Sequence, residues 1–295
     1  MPEVSVVIPA YNAAPYVGQA VESVLAQTFD DLEVIVVDDG STDDTADVVG
    51  RVGKSARYVH QPNSGVSAAR NKGIAESSGR YVAFLDADDT WLPEKLDRQL
   101  EALAAGPAYG LCHSAFIVSD VDLRPIEVRN RRPPGTPLES LLLEGNVVGS
   151  PSTVICRRDL FDEAGGFDPD LSQCADWDMW VRLASLTPFT RLDEPLVRYR
   201  QHETSMSSDP RLLEQDSLRV LEKGFTMPGL DPKIRAQRRR AFAHTYMVLA
   251  GTYFRGHRYR DFARCAARSV SLDPRRATYL VGFPFRLARR HRTEA

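Results

Sequence analysis

Cysteine is scarce in this chain of 295 residues, which contains only four. None of them stands in the paired Cys-x-x-Cys spacing that holds zinc or forms a local redox site. The sequence therefore argues against a disulfide framework and a structural zinc site, and it favours a reducing compartment such as the cytoplasm. The four cysteines are Cys112, Cys156, Cys174 and Cys265.

Long apolar runs are also missing. No stretch approaches the ~20 residues needed to cross a bilayer, and the N-terminus enters a strand-like run without the basic segment of a signal peptide. We therefore expect neither a membrane span nor a signal peptide. Hydrophobic residues nevertheless make up 43% of the chain, which indicates a globular protein of one large domain, or of one domain with an appendage.

Positive charge is sparse in the first two thirds of the chain and dense after them. Residues 1–205 carry 18 Lys and Arg against 32 Asp and Glu, a net charge of −14. Residues 206–295 carry 19 against 8, a net charge of +11. Because a change this large is typical of a change of module, we predict one domain over 1–205 and a basic helical extension over 206–295.

Apolar, strand-like segments alternate with segments of helical spacing in the first part of the chain. Strands are predicted at 4–12, 58–60 and 80–89, and in 32–45, where an apolar strand ends in acids and Gly40. A helix is predicted at 14–28, and a loop followed by a helix at 63–77. Apolar strands that alternate with helices indicate a parallel sheet covered on both faces. We therefore predict an α/β fold with a Rossmann-like, mostly parallel sheet, whose ligands bind beyond the carboxyl ends of the strands.

Acidic residues follow two of these strands directly. Asp38 and Asp39 end the second strand, and Asp86, Asp88 and Asp89 end the fourth in "VAFLDADDTW". Three neighbouring carboxylates repel one another, so a cation would make the arrangement tolerable. Asp-x-Asp offers the hard oxygen ligands that suit Mg²⁺ or Mn²⁺, and such an ion can neutralise a departing diphosphate. The motif alone leaves a solvated acidic loop or a helix cap open as alternatives.

Six motifs follow one another in a characteristic order. They are "VSVVIPAYN", "EVIVVDDGSTDDT", "SGVSAARNKGI", "GRYVAFLDADD", "GGFDPDLSQCADWDMWVRLA" and "YRQHETSMS". Together they closely resemble family 2 glycosyltransferases, the inverting, nucleotide-sugar-dependent enzymes of the GT-A fold. The resemblance covers about the first 205 residues. It implies a GT-A catalytic domain over 1–205, with a nucleotide-sugar half over about 1–105 and an acceptor half over about 106–205.

The resemblance implies which residues bind the nucleotide. Pro9, Ala10 and Tyr11 would line the nucleoside pocket, where Tyr11 can stack on the base. Asp39 would accept a hydrogen bond from N3–H of uracil, which implies a UDP-sugar, and Arg70 would reach a base carbonyl or a phosphate. A turn-forming acid is the structural alternative for Asp39, and a surface ion pair is the alternative for Arg70.

A divalent metal, Mg²⁺ or Mn²⁺, is also implied by the resemblance. Asp88 would be its main ligand, Asp86 would face the ribose or share the metal, and His202 would bind metal or diphosphate. A purely structural role is the alternative for His202. We expect Asp38 to be structural and Asp89 to cap the following turn.

The catalytic base implied by the resemblance is Asp176. The residue before it is Ala175 rather than the acid often found there, so we expect no like-charge neighbour to raise the pKa of the base. A helix cap is the alternative for Asp176. Trp177 is either a platform for the acceptor sugar or a buried core residue, and Asp178 and Arg182 are expected to form an ordinary i,i+4 ion pair.

The basic C-terminal part has a helical composition. Residues 241–274 resemble a single tetratricopeptide-type helix pair, and one copy is too few for a solenoid. In the tail, residues 275–292 place an apolar stretch between arginine clusters, which suits an anionic membrane surface. Docking on the acidic domain or on a partner protein is the alternative. Nucleic acid is a poor partner, because the acidic domain would repel phosphate.

The sequence thus predicts a cytoplasmic glycosyltransferase, with peripheral contact to the inner face of the membrane if the tail binds lipid. It would move a sugar from a nucleotide-sugar donor to a saccharide or glycolipid acceptor, as in cell-surface polysaccharide synthesis. Two other functions stay open. One is a nucleotidyltransferase on a related fold, and the other is a pseudoenzyme or scaffold that binds nucleotide sugar without turnover.

Overall fold

The computed structural model of the chain describes residues 1–106, 108–202 and 209–281. The described residues fall into two compact units: the first unit is residues 1–138 and 146–202, and the second unit is residues 139–145 and 209–281. The charge pattern does not indicate that the short segment 139–145 belongs with the basic C-terminal helices.

A nine-stranded sheet forms the centre of the first unit. Its strands are β1 (Val4–Ala10), β2 (Leu32–Asp38), β3 (Arg57–His60), β4 (Tyr81–Phe84), β5 (Thr90–Trp91), β6 (Leu111–Ser119), β7 (Pro125–Arg129), β8 (Val154–Arg157) and β9 (Phe189–Arg200). They lie in the order β3-β2-β1-β4-β8-β6-β9-β5, and β7 pairs with β6 beside this path.

The donor half of the sheet has the predicted parallel arrangement. β3, β2, β1 and β4 all run in the same direction, so their carboxyl ends meet at one edge. The acceptor half is mixed, because β8 runs antiparallel to both β4 and β6 while β9 runs parallel to β6. The sequence analysis did not identify β7, a short strand in which Ile126 and Val128 alternate with Glu127 and Arg129 and all five residues are exposed.

Helices cover both faces of the sheet, as predicted. The helices that lie wholly in the first unit are α1 (Val17–Leu25), α2 (Thr45–Val52), α3 (Val66–Glu76), α4 (Lys95–Ala104), α6 (Asp159–Ala164) and α7 (Ala175–Leu186). α5 (Pro137–Glu144) belongs mostly to the second unit. Side chains alternate along a strand, so Ile8 of β1 packs in the cluster that contains α1, whereas Ile35 of β2 meets Ala69 of α3. A Cβ on Gly73 of α3 would lie 2.2 Å from Cγ1 of Val7, so only glycine allows this approach.

The second unit is helical. Besides part of α5 it contains α8 (Pro210–Thr226), α9 (Pro232–Arg235), α10 (Arg238–Arg255), α11 (Tyr259–Leu272) and α12 (Ala277–Val281). The helix pair predicted over 241–274 corresponds to α10 and α11. Glu214 of α8 joins this pair, because it accepts a hydrogen bond of 2.6 Å from the hydroxyl of Tyr253 and two charged ones of 2.6 and 2.7 Å from Arg264.

The predicted membrane contact of the tail falls largely outside the described residues, which end at 281. Within the described part of the chain, no helix combines the length and apolar character that crossing a bilayer requires.

Candidate active site

The residues predicted to bind the nucleotide gather where the parallel strands end. Pro9 and Ala10 close β1, and Ala10 is the register partner of Asp38 at the end of β2. Pro9 and Ala10 are buried, whereas the side chain of Tyr11 is 52% exposed just beyond the strand. An exposed aromatic ring at this edge is free to stack on a planar ligand.

Asp39 is buried, and its carboxylate holds a neighbouring loop. Oδ1 accepts hydrogen bonds from the side chain of Gln61 at 2.7 Å and from the N–H of Ser64 at 2.9 Å, and Oδ2 accepts from the N–H of Gly65 at 2.7 Å. A carboxylate can accept about four hydrogen bonds. The predicted bond from uracil N3–H would therefore use the remaining acceptor position.

Asp38 is bonded within the protein. One oxygen accepts the N–H of Ser41 at 2.8 Å, and the other accepts the hydroxyl of Tyr58 at 2.5 Å. Both contacts fit the structural role that we expected.

Arg70 of α3 is buried and forms an ion pair inside the site. Its Nη2 lies 2.7 Å from Oδ1 of Asp86, and its guanidinium carbon lies 5.4 Å from the centre of the Phe167 ring. This pair is not the surface ion pair that the sequence left open as an alternative. The Phe167 ring and the Asp86 carboxylate together fix the guanidinium of Arg70 next to the acidic loop at 85–89, which we call the acid loop.

His202 contacts Asp88 of the acid loop. Nε2 of His202 lies 2.8 Å from Oδ2 of Asp88, and the imidazole stacks on Tyr16 with 5.3 Å between ring centres. Burial raises the pKa of Asp88, and the charge of Asp86 adds to this effect. Two of the three predicted metal ligands are therefore in direct contact.

Asp89 anchors the acid loop rather than only capping a turn. Its oxygens accept the hydroxyl of Ser152 at 2.6 Å and the N–H of Arg200 at 2.9 Å. The guanidinium of Arg200 in turn donates to the carbonyl of Asp88 at 2.7 Å and to the side chain of Gln19 on α1 at 2.7 Å. The acid loop is thereby tied to α1 and β9.

Asp176 lies at the second position of α7 and both of its oxygens accept hydrogen bonds. Oδ1 accepts the N–H of Trp177 at 2.7 Å, and Oδ2 accepts Nδ2 of Asn146 at 2.8 Å. The helix begins at Ala175 after Cys174, whose side chain makes no capping bond. Asp176 is therefore inside the first turn and not at the N-cap position that the alternative required.

The charge of Asp176 is controlled by its surroundings. Burial raises its pKa to about 6, the guanidinium of Arg70 opposes the rise, and the charge of Asp86 adds to it. The expectation that no like-charge neighbour contributes was wrong, because Asp86 comes from a distant part of the sequence. A carboxyl group with this pKa is largely ionised at neutral pH and remains a usable proton acceptor.

One segment, residues 146–152, contacts the carboxylates on both sides of the site. Asn146 at its start donates to Asp176. Ser150 lies 3.4 Å from oxygens of both Asp86 and Asp89. At its end, the hydroxyl of Ser152 accepts the N–H of Asp86 at 3.0 Å while it donates to Asp89.

The remaining predicted residues lie on α7. Trp177 is buried, which agrees with the core alternative, and its role as a sugar platform stays a prediction. Nη2 of Arg182 lies 2.7 Å from Oδ2 of Asp178, so the i,i+4 ion pair is confirmed.

The acid loop has the donor chemistry for a divalent cation. Asp86 and Asp88 offer the carboxylate oxygens that suit Mg²⁺ or Mn²⁺, and His202 offers an imidazole nitrogen as a further donor. The raised pKa of Asp88, caused by burial and then by Asp86, shows a repulsion that a cation would relieve. Among the described residues, however, no three His, Cys, Asp or Glu side chains are arranged to hold an ion. Oδ1 of Asp86 faces Arg70, and Oδ2 of Asp88 faces His202.

Sequence reasoning missed several contributors to the site, namely Tyr16, Asn146, Ser150, Ser152 and Arg200. Arg200 had a signal, because it stands two residues before His202 in the motif "YRQH". Asn146 and the two serines had none, since they lie in a stretch without periodicity whose contacts are distant in sequence.

Known proteins resemble this chain in sequence. The profile described as Glycosyl transferase family 2 matches residues 5–165. A glycosyltransferase named for teichuronic acid biosynthesis, TuaG of Bacillus subtilis, is 33% identical over 227 residues, which cover 70% of this chain and 82% of TuaG.

Two solved structures resemble this chain in fold. The mannosyltransferase PcManGT from Pyrobaculum calidifontis, solved in complex with GDP-Man and Mn²⁺, gives a TM-score of 0.66 at 19% identity and covers 99% of this chain and 82% of its own. TarS 1–349 of S. aureus, solved in complex with UDP-GlcNAc, gives a TM-score of 0.60 at 18% identity and covers 91% of each chain. The GT-A fold expected from the sequence is thereby confirmed.

Proposed function

This chain belongs to glycosyl transferase family 2, and we propose that it moves a sugar from a nucleotide diphosphate sugar to an acceptor hydroxyl with inversion of configuration. One observation carries the proposal. The proposed base Asp176 and the acid loop share one guanidinium, that of Arg70, and one bridging segment, residues 146–152. An inverting displacement needs a base on the acceptor side of the sugar and a group that stabilises the leaving diphosphate on the other side.

In this mechanism Asp176 accepts the proton of the acceptor hydroxyl while the hydroxyl oxygen attacks the anomeric carbon. The bond from that carbon to the diphosphate breaks in the same step, and the nucleoside diphosphate leaves on the opposite side of the sugar. A pKa of about 6 keeps Asp176 ionised at neutral pH. Its two hydrogen bonds hold the carboxylate in one orientation.

Asp88, Asp86 and His202 are the residues that would hold Mg²⁺ or Mn²⁺. When bound, such an ion neutralises the leaving diphosphate. Metal dependence is supported by the donor chemistry of these residues and by the Mn²⁺ named with PcManGT.

We propose a UDP-sugar as the donor. Tyr11, next to the buried Pro9 and Ala10, would stack on the base, and Asp39 would accept its N3–H. The solved neighbours are named with both UDP-GlcNAc and GDP-Man, and guanine also presents N–H donors. Direct comparison of the binding of UDP and GDP is therefore the test of this part.

The acceptor we propose is a hydroxyl of a saccharide or glycolipid, in the synthesis of a cell-surface polysaccharide. The name of TuaG supports this class of product. We also propose residues 1–205 as the catalytic domain and 206–295 as an extension. The membrane contact of 275–292 and the cytoplasmic location remain predictions.

The test is an assay of nucleoside diphosphate release with UDP-GlcNAc, UDP-Glc, UDP-Gal and GDP-Man, each with a panel of saccharide and glycolipid acceptors. We expect release of UDP that depends on both donor and acceptor, and a product whose anomeric configuration in NMR is opposite to that of the donor. Asp176→Asn should release UDP roughly 10²-fold more slowly, or slower still. Asp162→Asn is the matched control, because it removes the same charge from an exposed position on α6.

Other outcomes of the assay would replace the proposal. Release of pyrophosphate would indicate a nucleotidyltransferase. Tight donor binding without turnover on any acceptor would indicate a scaffold, and retention of configuration would exclude Asp176 as the base of a single displacement.

A further inference from the structure

Asn146 is the polar side chain of the 146–152 segment that touches Asp176. Its Nδ2 lies 2.8 Å from Oδ2 of Asp176. The other carboxylate oxygen is bonded to the N–H of Trp177 on α7. The carboxylate is thus held at one oxygen by its own helix and at the other by a separate part of the chain.

The amide of Asn146 is itself fixed in orientation. Nδ2 also donates to the carbonyl of Gly149 at 3.0 Å, and Oδ1 accepts the N–H of Gly149 at 3.2 Å. Because these two bonds use the amide nitrogen as a donor and the amide oxygen as an acceptor, rotation of the amide by 180° would break both. The group that faces Asp176 is therefore a donor.

Gly149 permits this closed turn. Its φ is +91°, in the region that favours glycine, and a Cβ at this position would lie 2.8 Å from Cε1 of Phe116. The turn that presents Asn146 is thereby built against a side chain of β6.

We propose that Asn146 is a positioning residue for the catalytic base, which holds the carboxylate of Asp176 in one orientation by donating to Oδ2. This inference rests on the proposed function only in that Asp176 is taken as the catalytic base. The bond itself acts on the carboxylate whatever reaction the site performs.

The bond has a measurable consequence for the charge of Asp176. The charged and titratable groups around this carboxylate are Arg70 of α3, Asp86 of the acid loop and Tyr199 of β9. After burial, Arg70 and the hydrogen bonds from Trp177 and Asn146 are the influences that lower its pKa. Loss of the Asn146 donor should therefore raise that pKa.

The experiment is a pH titration followed by NMR of the full chain labelled with ¹³C at the aspartate carboxyl carbons. The signal of Asp176 is identified by its absence from the Asp176→Asn spectrum. In the wild type we expect a midpoint near pH 6. In Asn146→Ala we expect a midpoint about one unit higher, the size of one hydrogen bond to a charged group.

Asn146→Asp is the second variant, and it keeps one of the two bonds of the turn, because a carboxylate can still accept the N–H of Gly149 but cannot donate to its carbonyl. A second negative charge beside Asp176 should raise the midpoint further than Ala does. Asn130→Ala is the matched control, since Asn130 is an exposed asparagine of the same unit whose side chain bonds Asp193 and Arg191. It should leave the midpoint unchanged.

An Asp176 midpoint that is unchanged in both Asn146 variants would overturn the inference, as would an equal shift in Asn130→Ala. The titration requires no substrate, so this failure differs from failure of the proposed function, which would appear as absence of UDP release by the wild type. Where transfer is measured, Asn146→Ala should lower kcat by about tenfold and leave the donor KM unchanged, because misorientation of a base affects the chemical step.

Discussion

Replacing Asp176 by Asn separates a catalytic base from a structural acid, because the two roles predict opposite changes in stability. The ordinary pKa of an aspartate is 3.8, and burial raises that of Asp176 to about 6. A difference of roughly two units corresponds to about 3 kcal/mol by which the ionised carboxylate destabilises the folded protein above pH 6. Asn carries no charge, so the substitution removes this destabilisation of the folded protein.

The substitution also removes a hydrogen bond. The new amide can still accept the N–H of Trp177 through its oxygen, but its NH₂ group would face Nδ2 of Asn146, so two donors would meet. The loss costs about 1 to 2 kcal/mol. We therefore expect Asp176→Asn to raise the free energy of unfolding by about 1 to 2 kcal/mol at pH 7.5.

The pH dependence gives this prediction a second signature. Between pH 4 and 6 the folded protein retains the Asp176 proton that the unfolded chain has released, so Asp176 makes the wild type less stable as pH rises through this window. The variant lacks this contribution. The stability difference between variant and wild type should grow from pH 4 to pH 6 and stay constant above pH 6.

The assay is urea unfolding followed by tryptophan fluorescence from pH 4 to 8, together with kcat for UDP release. We expect kcat to fall by roughly 10²-fold or more, the usual effect of losing a general base, and the wild-type kcat to decline below about pH 6. Asp162→Asn should change neither quantity. A variant that is less stable at pH 7.5, or one that keeps near-normal kcat, would refute the reasoning and make Asp176 a structural acid.

Three further perturbations test other parts of the site and the core. Asp88→Asn should abolish transfer with the fold intact, and excess EDTA should do the same to the wild type; full activity in EDTA would contradict a metal at the acid loop. Asp39→Ala should raise the donor KM, and calorimetry should show tighter binding of UDP than of GDP, a preference whose reversal would disprove the uracil contact. Lys95 is fully buried, and burial lowers its pKa to about 7. Between pH 7 and 10 the unfolded chain therefore holds a proton on Lys95 that the folded protein lacks. The free energy of unfolding rises with pH in this range because of Lys95. Lys95→Met should therefore raise the free energy of unfolding at pH 7 by about 2 kcal/mol after loss of the Gln99 contact, and should reduce the slope with pH; an unchanged slope in urea unfolding would show that Lys95 is not neutral in the fold.

The donor half could be predicted from the sequence because its information is local. β1, β2 and β4 are short apolar runs, helices follow β1, β2 and β3, and connections of this kind leave few possible sheet orders. The register that places Ala10 beside Asp38 follows from two such neighbouring strands. Residues at the strand ends, including Tyr11 and Asp39, could accordingly be assigned to one edge in advance.

The acceptor half could not be predicted in the same way, because its pairings join distant segments. β6 lies between β8 and β9, and β7 is exposed throughout. Local alternation, such as that of Ile126 and Val128 in β7, does not specify which strands pair. The same reason explains why Asn146 was missed, since its partner Asp176 stands 30 residues further along the chain.

The strength of the proposed base depends on such distant contacts more than on its own motif. Burial and the charge of Asp86 raise the pKa of Asp176, while Arg70, Trp177 and Asn146 lower it. A general base works best when its pKa lies close to the working pH, because a much lower value gives an ionised but weak base. The opposing influences hold Asp176 near 6, one unit below neutrality. Each supporting contact comes from a different element of the first unit, so the motif "ADWD" specifies the position of the base, and the fold around it specifies its basicity.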